Sequence, residues 1–277
     1  MPMSSTALPR LMKSAMLLAA VLVLAACGRS PVNHIGTPGD NDPHWGVQRA
    51  WGLPIQGLDV ARYQGNINFN AARGAGMHFV FIKATEGKDY IDPNFYTNWE
   101  KARASGMARG AYHFMTWCSR AAEQAAWFTR MVPADEDALP PVLDLEWNNH
   151  SSCVNKHDRA EVLDKVNVML AAMERHTGKV PIIYTDANFY NEILRGEAWD
   201  SPFWFRSTAA PPETKFGNQP WLFWQWTQTG TMSGIFAEVD RNAFYGTEGD
   251  WVNFLLTGCD PRTTYILGPQ GRCRSLK

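Results

Sequence analysis

Eight short apolar runs, at residues 56–60, 78–85, 108–114, 141–147, 180–185, 203–207, 222–226 and 235–240, set the pattern of this 277-residue chain. Each is short, and turn-forming residues separate them, which marks them as strands. Helical segments lie between several of them. The clearest covers residues 158–176, where Val162, Val166, Met169 and Met173 fall at helical spacing and Gly178 follows as a stop. Asp92-Pro93 ahead of NFYTNWEKARASG predicts an N-cap, a proline at the first helical position and a terminating Gly106. A third helix is expected over residues 119–131. Strands alternating with helices predict a single α/β domain with a parallel sheet, and eight strands make a closed barrel the simplest solution. Helices after the last strands are weakly written, so the expectation is an irregular eight-stranded β/α barrel, TIM-barrel-like with reduced helices. No internal repeat or second domain is visible.

Composition narrows the function classes. With 45% hydrophobic and 19% charged residues the chain buries a full core, which excludes disorder, collagen and coiled coil. A formal net charge of -1 offers no field for phosphate backbones, so nucleic acid is not expected as a partner. Twelve Trp residues are unusual and suit either core packing or sugar stacking.

The amino end reads as an address. Lys13 supplies a basic start, and residues 15–26 form an apolar run of 12 ending in small residues, the pattern of a signal peptide over residues 1–26. The run is far shorter than the roughly 20 residues that cross a bilayer as a helix. Leu24-Ala25-Ala26-Cys27 resembles a lipobox, which makes Cys27 the acylated first residue of an exported, lipid-anchored protein of the cell envelope, facing the periplasm or the outer surface. An ordinary secretory signal cut nearby is the alternative. Residues 27–50 carry Gly, Pro, Asn and Asp without apolar period, and read as the lipidated Cys and a flexible linker; the folded body is assigned to residues 51–257.

Setting Cys27 aside leaves Cys118, Cys153, Cys259 and Cys273, an even number in an exported chain. Three pairings are open. Cys118 with Cys153 and Cys259 with Cys273 are favoured, because the first two each follow a strand-like run and the last two bracket a short tail at 258–277. No pair has the spacing zinc demands, so neither a metal nor a cofactor is expected.

The most informative stretch is Leu139-Pro-Pro-Val-Leu-Asp-Leu-Glu-Trp147. Strand alternation puts Asp144 and Glu146 on the same face. Two such acids at the end of a buried strand repel and raise at least one pKa, which suits general acid catalysis; the structural alternative is a carboxylate pair holding loops. Asp59 ends the first strand candidate and Asp240 the last. First and last strands are neighbours in a closed barrel, so the carboxyl ends of strands 1, 4 and 8 converge on one rim, where barrel active sites form. Tyr112, Tyr184 and Trp226 end other strands and are expected to stack against sugar, with Trp147 as support. Lys83 and Glu86 read as a structural ion pair, and His113 as a packed residue.

GLDVARYQG, FVFIKATEG, ARGAYHF, PVLDLEW, PIIYT, FWQWT and VDRN, in order from Gly57 to Phe244, resemble the successive strand motifs of family 25 glycoside hydrolases, the Chalaropsis-type lysozymes. The resemblance implies an irregular β/α barrel and hydrolysis of the β-1,4 bond between N-acetylmuramic acid and N-acetylglucosamine in peptidoglycan. By motif, Glu146 corresponds to the proton donor, Asp144 to the group that stabilises positive charge or orients substrate, and Asp59 and Asp240 to the remaining acids. Glu146 is then expected protonated and Asp144 ionised. Peptidoglycan glycan strands are the expected partner, with the membrane reached through the lipid anchor and the protein itself a monomer. The family commonly has Ser where this chain has Ala61, with Arg62 as the candidate replacement, and the tail at 258–277 lies outside the shared pattern. The rival readings are a non-catalytic glycan-binding lipoprotein on the same barrel and a hydrolase of another N-acetylated glycan.

Overall fold

Parallel strands need long crossovers, whereas a two-residue loop joins only antiparallel neighbours, and both kinds of connection occur here. The computed structural model describes residues 44–148, 157–262, 266–267 and 273–274. Its main strands are β1 (Gln56–Val60), β2 (Met77–Glu86), β3 (Tyr90–Ile91), β4 (Ala108–Phe114), β5 (Val142–Leu145), β6 (Ile182–Thr185), β7 (Phe203–Arg206), β8 (Phe223–Met232) and β9 (Ile235–Phe244). They hydrogen-bond in the order β1-β9-β8-β7-β6-β5-β4-β2-β3, and an added β1–β2 pairing closes an eight-stranded barrel to which β3 is a two-residue appendage. All eight expected strands are present.

The sheet is mixed rather than parallel. Strands β1, β2 and β4 to β8 run parallel, but β9 is antiparallel to both neighbours. The cause is the turn between Met232 and Ile235, whose Gly234 has φ +87°; Ser233-Gly234 is too short a connection for a crossover. The helices thin out between the later strands, as expected, but the one after the last strand, Glu248–Thr257, is a full ten residues. Arg159–Thr177 is full length, with Gly178 left-handed at its end and Val162, Val166, Met169 and Met173 buried, whereas Pro212–Phe216 is only five residues.

Alternation divides the core in two. Outward-facing side chains pack under the helices, while Phe79, Phe81, Val142, Trp204, Phe223 and Phe244 fill the lumen. The helix Glu248–Thr257 plugs one end of it, with Trp251 5.4 Å from Phe79 and Phe254 5.7 Å from Phe223 between ring centroids. Large rings need small neighbours on the facing strands. A Cβ on Gly57 would lie 2.5 Å from the Phe79 ring, and one on Gly110 2.6 Å from Phe81. Gly57→Ala is therefore expected to cost about 1–3 kcal/mol, the usual penalty of overpacking, read as a lower urea midpoint at unchanged m-value. A wild-type midpoint would contradict the tight lumen.

Two boundaries differ from expectation. The flexible linker cannot extend to residue 50, because Trp45–Val47 and Gln48–Trp51 form helical turns with Val47 and Ala50 fully buried. Arg49 fixes this segment through a pair of hydrogen bonds to Glu213 at 2.7 and 2.8 Å. The helix expected from Asp92 covers Phe95–Ala104 instead, with Asn94 at its N-cap, because Asp92 turns its carboxylate to the backbone N–H groups of Arg62 and Asn94. Cys259 and Cys273 form the expected disulfide. Cys118 is disulfide-bonded, and Cys153, its expected partner, lies outside the described residues, as do the signal sequence and Cys27.

Candidate active site

Every second residue of a barrel strand points into the lumen, so each strand contributes one inward side chain to the layer at its open rim. That layer is polar. Asp59 of β1, Lys83 of β2, Tyr112 of β4, Asp144 of β5 with Glu146 just beyond it, Tyr184 of β6, Gln225 of β8 and Asp240 of β9 line one cleft of about 160 Å3. Val142, Asp144 and Glu146 all line it, as the shared parity of the VLDLE segment requires. Asp240 reaches the cleft by a different route from the expected one. It lies within an antiparallel strand, in register with Asp59, instead of at the carboxyl end of a parallel one.

The four acids form two pairs. In the first, Asp59 Oδ2 accepts hydrogen bonds from Asn242 Nδ2 at 2.8 Å and Gln225 Nε2 at 2.9 Å, and Asp240 also bonds to Asp59. Burial raises the pKa of both, and the charge of Asp59 raises Asp240 further, so Asp240 is the partner that holds a proton. In the second pair, burial and then the charge of Glu146 push Asp144 well above the usual carboxylate range, and one of its oxygens is buried without a partner. Burial also raises Glu146, but the Arg206 guanidinium 3.1 Å away opposes that rise. The proton therefore favours Asp144, the reverse of the expected order, because the cation sits beside Glu146.

Tyr112 is half-buried in the cleft wall. Tyr184 also faces the cleft, but it is buried, its ring stands edge-on to Trp204 at 4.7 Å, and its hydroxyl donates to Gln225 Oε1 at 2.9 Å. It thereby orients the amide that holds Asp59. Trp226 does not reach the cleft at all, so its assignment as a stacking residue is corrected. It is 1% exposed in the outer layer, under the Arg241 guanidinium and against Trp51, because Gln225 takes the inward position of that strand.

Trp147 supports the rim from outside, donating to Glu192 Oε2 at 3.0 Å and packing on Phe189. Lys83 and Glu86 form the expected ion pair at 2.6 Å, with Lys83 also lining the cleft. His113 is buried away from it between Thr85 and Gln124, and burial lowers its pKa to about 4. Arg62 does not replace a hydroxyl near Asp59; its guanidinium lies over Tyr63. Arg206, Gln225 and Asn242 were not singled out from sequence. The one available signal was Arg206 itself, a charge closing the apolar run FWFR. It bridges Glu146 and Asp186, the latter at 2.8 Å.

Comparison with known proteins agrees with this architecture. Residues 58–235 match the family model of glycosyl hydrolases family 25. The chain is 35% identical to lysozyme M1 of Streptomyces globisporus over 201 residues, 70% of this chain and 68% of that protein. A family 25 glycosyl hydrolase from Bacillus anthracis superposes with a TM-score of 0.70 at 35% identity, covering 79% of this chain and 99% of that one. The bacterial lysozyme from Streptomyces coelicolor gives 0.65 at 35% identity, covering 70% and 94%. With a closed barrel, four acids at its rim and a family match over most of its folded body, the chain belongs to glycosyl hydrolase family 25 and is a glycoside hydrolase.

Proposed function

We propose that the protein is a lysozyme that hydrolyses the β-1,4 bond between N-acetylmuramic acid and N-acetylglucosamine in peptidoglycan. The observation that carries this reading is the gathering of Asp59, Asp144, Glu146 and Asp240 in one cleft, in a chain whose relatives include a lysozyme. A glycosidic oxygen is a poor leaving group until protonated, and the oxocarbenium-like transition state is stabilised by nearby negative charge. The hydrogen bond between Asp144 and Glu146 lets one proton serve both needs. It moves from Asp144 to Glu146 and on to the departing oxygen. Asp144 is left ionised beneath the developing positive charge, where it stabilises the anomeric centre or orients the substrate's acetamido group. Glu146, now a carboxylate, takes a proton from the water that completes hydrolysis. Asp59, fixed by Asn242 and Gln225, adds negative charge in the same cleft. A non-catalytic glycan binder would have no use for four desolvated acids, whose burial opposes their ionisation.

The substrate class is tested by giving the purified protein peptidoglycan and chitin oligomers side by side. Release of soluble fragments from peptidoglycan alone is expected. Cleavage of chitin at a comparable rate would favour the broader N-acetylated glycan reading. The lipobox-like LAAC segment supports an envelope location with Cys27 acylated, which would hold the hydrolase beside its substrate for cell-wall turnover. Cys27→Ala is expected to move the protein from the membrane to the soluble fraction, and continued membrane retention would contradict lipidation there.

A further inference from the structure

Beside the acid cleft, and sharing Gln228 with it, lies a second basin of about 250 Å3, with Arg206 in its wall. Its wall includes Asp186, Asn188, Thr208 and Lys215. The charges in it are unequally compensated. Arg206 is held by Asp186 at 2.8 Å and Glu146 at 3.1 Å. Asp186 spends its other oxygen on the backbone N–H of Phe189 at 2.8 Å. Glu213, on the same short helix as Lys215, is occupied by Arg49 at 2.7 Å and the Trp221 indole at 3.0 Å. Lys215 itself is half-buried, and neither its ammonium nor the side chains of Asn188 and Thr208 form a hydrogen bond or ion pair with the described residues.

The backbone that carries this ammonium is nevertheless fixed. Phe216, the next residue, stacks on Phe205 with ring centroids 3.7 Å apart and also packs on Tyr190, which pins the Pro212–Phe216 helix to the barrel. A cation without a counter-ion among the described residues, in one basin with two uncommitted polar groups and bordering the acid cleft at Gln228, has the chemistry to receive a carboxylate.

Resting on the muramidase reading, we infer that this basin receives the anionic arm on O3 of the muramic acid seated at Asp144 and Glu146, with Lys215 pairing its carboxylate and Asn188 and Thr208 binding its amide or ether oxygens. That arm is what distinguishes muramic acid from glucosamine. The basin would then make Lys215 a specificity residue rather than a catalytic one, because it touches a part of the substrate remote from the bond broken. Two carboxylate sources share this chemistry: the lactyl group itself, free when the peptide stem has been removed, and the acidic residues of an intact stem.

The test compares wild type, Lys215→Ala and Lys215→Arg on stem-bearing glycan strands and on strands stripped of stems by an amidase. Lys215→Ala is expected to raise KM about tenfold, the loss of one charge-assisted hydrogen bond, with kcat within about twofold and with Lys215→Arg restoring most of the affinity. A penalty on stripped strands alone identifies the lactyl carboxylate as the ligand, a penalty on stem-bearing strands alone identifies the stem, and a penalty on both shows that Lys215 pairs with whichever carboxylate the arm presents. A wild type that cuts both substrates, with Lys215→Ala indistinguishable from it, overturns this inference alone. A wild type that cuts neither overturns the muramidase reading and this inference with it.

Discussion

Glu146→Gln is expected to lower kcat on peptidoglycan by about a hundredfold or more, the scale of a lost general acid, while KM stays near the wild-type value. Gln is nearly isosteric with Glu, and its amide oxygen can still accept from Arg206, so the geometry of the 3.1 Å contact survives. The variant loses only the ability to carry a proton to the glycosidic oxygen. Steady-state kinetics on solubilised glycan strands provide the readout. A variant with unimpaired kcat would remove Glu146 from the chemistry, and a large rise in KM at constant kcat would make it a binding group.

Asp144→Asn is expected to move activity and stability in opposite directions. Activity should fall about a hundredfold, because an amide cannot supply the negative charge that the oxocarbenium-like state requires. Stability should rise. Burial and the neighbouring Glu146 raise the pKa of Asp144 above its ordinary 3.8, so the folded state binds the proton more tightly than the unfolded chain does. Stability from this group is fully present below the unfolded value and is lost as pH climbs through the folded one. Asn has nothing to ionise and escapes that loss. At pH 7 the variant should melt about 2–4 °C higher, the shift that ~1 kcal/mol produces in a domain of this size. The gain should vanish at about pH 2.5, well below the unfolded value of 3.8, where Asp144 is protonated in both states. Differential thermal melts at the two pH values measure it, and a variant less stable than wild type at pH 7 would contradict the electrostatic assignment.

Strand parity explains what could be read from the sequence. That Asp144 and Glu146 share a face follows from a period of two and needs no knowledge of neighbouring strands. Which face points inward is another matter, because barrel strands are buried on both sides and carry no polar stripe to mark the lumen. Trp226 was misplaced for that reason: in FWQWT the two parities differ only in that one contains Gln225, and the inward one proved to be the glutamine's. Trp224 and Trp226 instead pack outside, where their indole nitrogens donate to the Ser207 carbonyl and Gln56.

The pairing of Asp59 with Asp240 was anticipated on a parallel last strand and arises on an antiparallel one. Ser233-Gly234 was the available clue, a turn dipeptide between two strand-forming runs. Val47 and Ala50 lie three apart in a segment otherwise rich in turn formers, and only the surface they bury against shows them to be core. Arg206, Lys215 and Asn242 come from separate strands and helices, and their placement around the cleft and the basin beside it is a product of closure that no local pattern encodes.

The central claim is that these gathered acids break the muramic acid side of the glycan bond. Peptidoglycan digested by the full-length protein can be reduced with borohydride, hydrolysed and assayed for amino sugar alcohols. The account predicts muramitol as the new product. Glucosaminitol in its place, or no new reducing end from intact protein, would contradict it.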